Sequence, residues 1–309
     1  MPYTLQPLNF SRGVIYTWCH WNPFQPRGRW NPKLPALFDR CVGLPKWKVL
    51  VRLFGWIEKL SGCRIGNFNP TVHVIPHERI AKLLAEGKLT SIMADDPAIA
   101  KSHFLAWMGV DKDGNHYIFD ESPRYETEGE WVDAQGEAGE GQKVYASMGA
   151  NWYKKHIRER EREHGQPALF RWGDPRAFAT KAAEASGARN LFELFQDDNS
   201  AMDPDYAPLY FQPAQIRQTI DLDLDGVVTK LAYDTQRAER EGGITVENQP
   251  KLFVSDRCQN IIRCWLNWDG TPDSPYKDGV DAAARYLFCV PSYYVDPQVP
   301  DVVGGRGWG

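Results

Sequence analysis

The chain has 309 residues, 42% hydrophobic, 25% charged and 13% aromatic, with twelve Trp and a formal net charge of −4. These values describe a globular protein with a bulky interior, built as one large domain or as a medium domain with a smaller appendage. The mildly acidic balance excludes nucleic-acid binding by overall charge. It leaves room for a local basic groove, or for carboxylates offset by metal ions.

Residues 1–89 are rich in Trp and Pro. "GVIYTWCHW" has strand character, "WNPFQPRGRWNPKLP" is loop, and "WKVLVRLFGWIEKL" carries apolar residues at helical spacing. "PTVHVIP" predicts a short strand and "HERIAKLLAEGKL" an amphipathic helix closed by Gly87. With so few alternating elements, 1–89 is expected to be an irregular N-terminal arm. From Thr90 the pattern changes. "SIMADDPA" is a strand entering a turn, and "HFLAWMGVDKDGNHYIFDE" is a hairpin about an Asp-Lys-Asp-Gly-Asn turn, so three adjacent antiparallel strands follow. An acidic, Gly-bearing loop covers 122–148, and "NWYKKHIREREREHG" is a helix closed by Gly165.

"ALFRWGDPRAFATKAAEASG" then predicts a strand, a Gly-Asp-Pro-Arg turn and an Ala-rich helix. "NLFELFQ" and "LYFQPA" lead into the helix of "QIRQTIDLDLDGVVTKLAYDTQ". "PKLFVSDRC" is a strand, and "QNIIRCWLNWDG" and "KDGVDAAARYLF" are helices. A strand cluster followed by alternating helices and strands predicts an α/β fold, a mixed sheet flanked by helices. The expected domain spans 90–296, with 297–309 a flexible tail.

Six Cys, at 19, 41, 63, 258, 264 and 289, show no CxxC spacing. They read as reduced thiols of a cytosolic protein and argue against zinc. The N-terminus lacks a signal-peptide pattern, and no apolar run approaches the ~18 residues of a membrane span. The expectation is a soluble intracellular protein that is neither secreted nor membrane-bound.

Three carboxylates stand at chemically similar places. Asp96 ends a strand in "MADDPA" beside Asp95, Asp174 ends another in "RWGDPR", and Asp278 opens the last helix. An Asp before Pro is held out of the ladder, because Pro donates no hydrogen bond. Taken singly, each suits an ordinary turn or cap. Together they could converge on two divalent ions roughly 3.5–4 Å apart. Alternation along the strand lets only one of Asp95 and Asp96 face such a site.

The stretches "MADDPAIAKSHFLAWMGVDKDGNHYIFDESP", "GDPRAFATKAAEASG", "LYFQPA", "LFVSDRCQNIIRCWLNWDG" and "KDGVDAAARYLF" resemble, in this order, the nuclease domain of tailed-phage terminase large subunits. Those enzymes cut concatemeric DNA during genome packaging. The resemblance covers roughly residues 90–290. It implies a ribonuclease H-like fold and a two-metal endodeoxyribonuclease using Mg2+ or Mn2+. The three acidic positions correspond to Asp96, Asp174 and Asp278. The family motif Asp-Pro favours Asp96 over Asp95. Asp281 is a second ligand or outer group, and Glu121 resembles a further acidic position. Arg176 and Lys181, beside the Asp174 strand end, would steer a DNA phosphate.

The implied partners are double-stranded DNA, a packaging ATPase, a portal and a small terminase subunit, in the host cytoplasm. The segment before 90 looks like the ATPase–nuclease linker, but no GxxxxGK[ST] loop occurs, so no ATPase activity is expected of this chain. It would be a C-terminal fragment or one half of a split gene. Two alternatives stand beside this reading: a resolvase- or transposase-type nuclease of the same fold, and a non-catalytic packaging or docking protein.

Other signals have simpler explanations. "DLDLDGVVTKLA" imitates the start of an EF-hand loop, but Ala232 stands where the bidentate Glu is required. "HERIA" is not HExxH, so His73, His77 and His103 read as packing or surface residues. Lys154, Lys155, Arg158 and Arg162 alternate with Glu159, Glu161 and Glu163, which predicts a solvated helix paired within itself.

Overall fold

The computed structural model describes residues 64–98, 100–176, 189–216, 220–288 and 294–295. The chain divides after Leu60, and all the described residues belong to the unit from residue 61 onward. The elements in chain order are α1 (Pro70–His73), β1 (Val74–Ile75), α2 (His77–Ala85), β2 (Thr90–Asp96), β3 (Phe104–Val110) and β4 (His116–Ser122). Then come α3 (Tyr125–Glu128), α4 (Ala150–Glu163), β5 (Phe170–Gly173), α5 (Leu191–Gln196) and β6 (Gln212–Pro213). The last are α6 (Ile220–Leu231), α7 (Thr235–Glu241), β7 (Leu252–Ser255), α8 (Gln259–Asn267) and α9 (Lys277–Val280), which widens into a π-helical turn over Asp281–Tyr286.

The seven strands form one mixed sheet in the order β1-β7-β4-β3-β2-β5-β6. The meander β2-β3-β4 is antiparallel, because short turns join its strands. β5 pairs parallel with β2, and β6 parallel with β5. Three antiparallel strands extended by two parallel ones beside the first give the ribonuclease H-like order, and β7 and β1 extend the other edge.

Period-two alternation sorts the side chains to two cores. Ile92, Ala94, Phe104, Ala106 and Met108 face α6, α8 and α9, through Leu224, Val227, Ile261, Trp265 and Ala282–Ala284. Met93, Leu105 and Trp107 face α2, α4 and α5, through Ile80, Leu84, Tyr153, Ile157 and Phe195. The β3–β4 register slips between Trp107 and Met108, so Trp107 pairs with Asp120 and Met108 with Ile118. This bulge moves Glu121 to the face of Ala106 and sends Asp120 to the other.

The fold begins earlier than the expected boundary at residue 90. Ile65 and Phe68 are buried in the first core and β1 pairs with β7, so this part of the arm belongs to the sheet and its packing. At the other end, Val295 N donates to Thr90 Oγ1 at 2.7 Å. The helix α4 also departs from expectation. Lys154, His156, Arg160 and Glu161 are buried, and most of its charges pair with other elements instead of solvent or one another. The residues around the EF-hand-like pattern form α6, whose Asp223 is held by Arg285 at 2.8 Å. The Ala-rich helix after Asp174 and the tail 297–309 lie outside the described residues. No described helix is long and apolar enough to cross a membrane.

Candidate functional site

Asp96 is the last residue of β2, on the face of Ala94 and Phe104. Its neighbour on the parallel strand is Asp174, since Asp95 pairs with Gly173 and Asp174 N donates to Asp95 O at 3.3 Å. Two carboxylates thus end adjacent strands, at the usual ~5 Å spacing of paired chains.

The helix α9 lies across β3, and the π-helical turn across β2, β3 and β5. That approach is close because the interface is built from small residues: Ala282, Ala283 and Ala284 are fully buried. A Cβ on Gly279 would stand 2.7 Å from Cys264 Sγ. The helix brings Asp278 and Asp281 to the strand ends. The π-helical hydrogen bond from Leu287 N to Ala282 O, 3.3 Å, inserts an extra residue in the turn beyond them.

Each carboxylate has a different set of partners. Asp278 Oδ2 accepts from Lys101 Nζ and, at 3.1 Å, from Trp131 Nε1. Asp281 is held from both sides on its own helix, by Lys277 and by Arg285, the latter at 2.8 Å. Asp174 Oδ1 accepts the Arg176 backbone N–H at 2.8 Å, the geometry of an Asx turn. Asp96 makes no hydrogen bond or ion pair with any described residue. Burial raises its pKa well above the carboxylate range, Asp278, Asp281 and Asp174 push the same way, and Lys277 opposes them. Tyr286 borders the cluster: burial first, then Asp96, Asp281 and Asp174, raises its pKa.

The structure therefore gathers Asp96, Asp174, Asp278 and Asp281 at one end of the sheet. Asp95 is not among them. It is fully buried on the opposite face, 3.1 Å from His103 Nδ1, and the His103 ring stacks on Tyr153 at 3.8 Å. Glu121 shares the face of Asp96 but is engaged elsewhere. Its two oxygens accept from Asn260 N at 2.9 Å and Ile261 N at 2.8 Å, where they satisfy the open N-terminus of α8. Arg176 is exposed beside Asp174, and Lys181 lies outside the described residues. His73 and His77 pack through hydrogen bonds to Leu231 O and Ser255 Oγ.

Sequence reasoning missed Lys101, Trp131, Lys277 and Arg285. The last two were available, since 277, 281 and 285 follow the i, i+4 rule. Lys101 and Trp131 come from loops and carry no such signal. Among the described residues, no three His, Cys, Asp or Glu side chains stand close enough to ligate one ion as they are. The cations on Asp278 and Asp281 occupy oxygens that an ion would use. A surface cavity lies elsewhere, between α4 and the start of β5, and contains none of the four clustered carboxylates. The carboxylates define the candidate site, because they are where charge is left unbalanced.

No family model matches the chain, and no curated protein matches it. Among solved structures, the nuclease domain of the P22 large terminase aligns with 65% of this chain and 81% of its own, at 9% identity and a TM-score of 0.38. A likeness that distant carries no argument about the site. The fold assignment rests on the strand order of the sheet.

Proposed function

We propose that this chain is a divalent-metal-dependent DNA endonuclease of viral genome packaging, the nuclease portion of a large terminase. One observation carries the catalytic part. The strand-end carboxylate of Asp96 has no hydrogen-bond or ion-pair partner among the described residues and faces three other carboxylates. An all-oxygen donor set with surplus negative charge suits Mg2+ or Mn2+. Asp96, Asp174 and Asp278 would hold the ions, with Asp281 beside them. Ions held there would supply a lowered pKa for an attacking water and positive charge opposite the leaving oxygen.

The chain's own residues do the rest. Trp131, 1% exposed, seals Asp278 from the loop side and fixes its orientation. Lys101 pairs with Asp278 and Lys277 with Asp281 in the free protein, and both would be released toward a scissile phosphate when ions take over those carboxylates. Arg176 lies at the open edge of the strand ends, suited to a flanking phosphate. The packaging context rests on the five sequence stretches that resemble terminase nucleases. It brings double-stranded DNA, a separate packaging ATPase, a portal and a small terminase subunit as proposed partners.

The internal cations favour a second reading, a protein that keeps the fold and neutralises its own acidic cluster without catalysis. Supercoiled plasmid with Mn2+ separates the two. The nuclease reading expects nicked and linear products from the wild type and none from D96N. Intact plasmid with the wild type would favour the non-catalytic reading.

A further inference from the structure

A cavity of about 560 Å3, with no part in the proposed nuclease chemistry, lies between α4, the start of β5 and the 205–209 segment. Its charged lining is Arg158, Arg162, Arg171 and Glu161, with Gln166 and the buried Leu209 completing the wall. Arg158 and Arg162 are one helical turn apart on α4 and so share a face.

Two of the three arginines are neutralised. Arg162 donates to both oxygens of Asp205, at 2.7 and 2.8 Å. Arg171 is paired with Glu161 at 2.7 Å to each oxygen. Arg158 differs. It donates to two backbone carbonyls, Asp205 O at 2.6 Å and Pro208 O at 2.9 Å. It has no ion pair with the described residues, and a guanidinium has five N–H donors. Three N–H groups of a half-buried cation are therefore unused at the wall of a cavity. Burial, with Arg171 next, also lowers the Arg158 pKa, the sign of a charge without sufficient compensation.

We propose that this cavity binds a phosphate group, held by the free edge of Arg158 and flanked by Arg171 and Arg162. With Arg162 and Arg171 each held by a carboxylate, Arg158 leaves one uncompensated positive charge at the cavity wall, which selects an anion over a neutral ligand, and guanidinium forks match phosphate geometry. The phosphate can belong to a nucleic-acid backbone or to a free phosphate compound, and paired titrations distinguish the two sources. The proposal is independent of the nuclease reading, because none of the clustered carboxylates lines the cavity.

The test is calorimetric titration of the full chain with pyrophosphate in a metal-free chelating buffer, and anisotropy titration with a labelled DNA duplex in the same buffer. The variants are R158Q, R158K and E161Q. Wild type is expected to bind pyrophosphate, and R158Q to weaken it by about tenfold or more, the loss of a charge-assisted pair. R158K keeps the charge but loses the fork, and falls between. E161Q frees Arg171 and tightens binding, an outcome that misfolding cannot produce. A parallel loss of duplex affinity in R158Q assigns the phosphate to a nucleic-acid backbone, and an unchanged duplex affinity assigns it to a free phosphate compound. No pyrophosphate binding at millimolar concentration, or equal binding by wild type and R158Q, overturns the proposal.

Discussion

The substitution Glu121→Gln tests the electrostatics of the buried carboxylate that opens α8. Glu121 is fully buried, and its two oxygens accept the N–H groups of Asn260 and Ile261. Burial nevertheless raises its pKa from 4.5 to about 8. An acid whose folded pKa is raised takes up protons on folding. Its stabilising contribution is complete below the unfolded value of 4.5 and is lost as pH rises through about 8. At 1.36 kcal/mol per pH unit, the loss between roughly pH 5 and 8 is on the order of 4 kcal/mol.

Gln is neutral and of the same shape, so it removes that dependence. Burial lowers the pKa values of His73, His77, His116 and His156, which gives the opposite slope in the acidic range. Asp96 slopes in the same direction as Glu121. Both effects are common to the two proteins, so the difference between them isolates position 121. Urea unfolding midpoints measured from about pH 5 to 8 should show the variant gaining several kcal/mol on the wild type as pH rises. Parallel curves would refute the reasoning.

Other expectations rest on the same geometry. Asp120 is buried and accepts from Arg124 at 2.6 and 2.7 Å and from His164 at 2.7 Å. Burial alone would raise its pKa, but His164 and Arg124 outweigh that and hold it well below the usual range. Asp120→Asn should therefore cost about 3–5 kcal/mol in urea unfolding near neutral pH, because buried Arg124 would keep only the half-exposed Glu163, at 2.8 Å, as a carboxylate partner. A loss below about 1 kcal/mol would contradict this. Gly279→Ala places a Cβ against Cys264 and Phe104. It should cost about 1–3 kcal/mol by overpacking, and a neutral result would mean that α9 is not wedged against the sheet. Lys101→Met removes the cation on Asp278 and should tighten Mn2+ binding several-fold by calorimetry. Weaker binding would show that Lys101 supports the site instead of competing for it.

The apolar runs of "SIMADDPA" and "HFLAWMGV" and the Asp-Lys-Asp-Gly-Asn turn made the meander legible, because each residue's face follows from strand geometry once the turn is placed. The same geometry separates Asp95 from Asp96. Helix α9 was legible from its alanines, which only close packing would require. The bulge in β4 was not: "HYIFDES" runs from three apolar residues into three polar ones with no local mark of an inserted residue, and the slip is visible only against β3. It decides where Asp120 and Glu121 point, so Glu121 looked like a site residue and proved to satisfy a helix end. The burial of α4 was also hidden, since partners of its charges, Asp197, Asp203 and Asp205, come from 40 or more residues away. Lys101 and Trp131 are loop residues brought to Asp278 from separations of 177 and 147 positions. No local pattern encodes contacts of that range.

Asp96, which has no hydrogen-bond or ion-pair partner among the described residues, is proposed to form a divalent-ion site with Asp174 and Asp278. Calorimetric titration with Mn2+ tests it without depending on a substrate. The wild type should bind two ions per chain, as a two-metal hydrolase requires, and Asp96→Asn should weaken binding by about tenfold or more. Absence of binding by the wild type, or unchanged affinity in D96N, would contradict it.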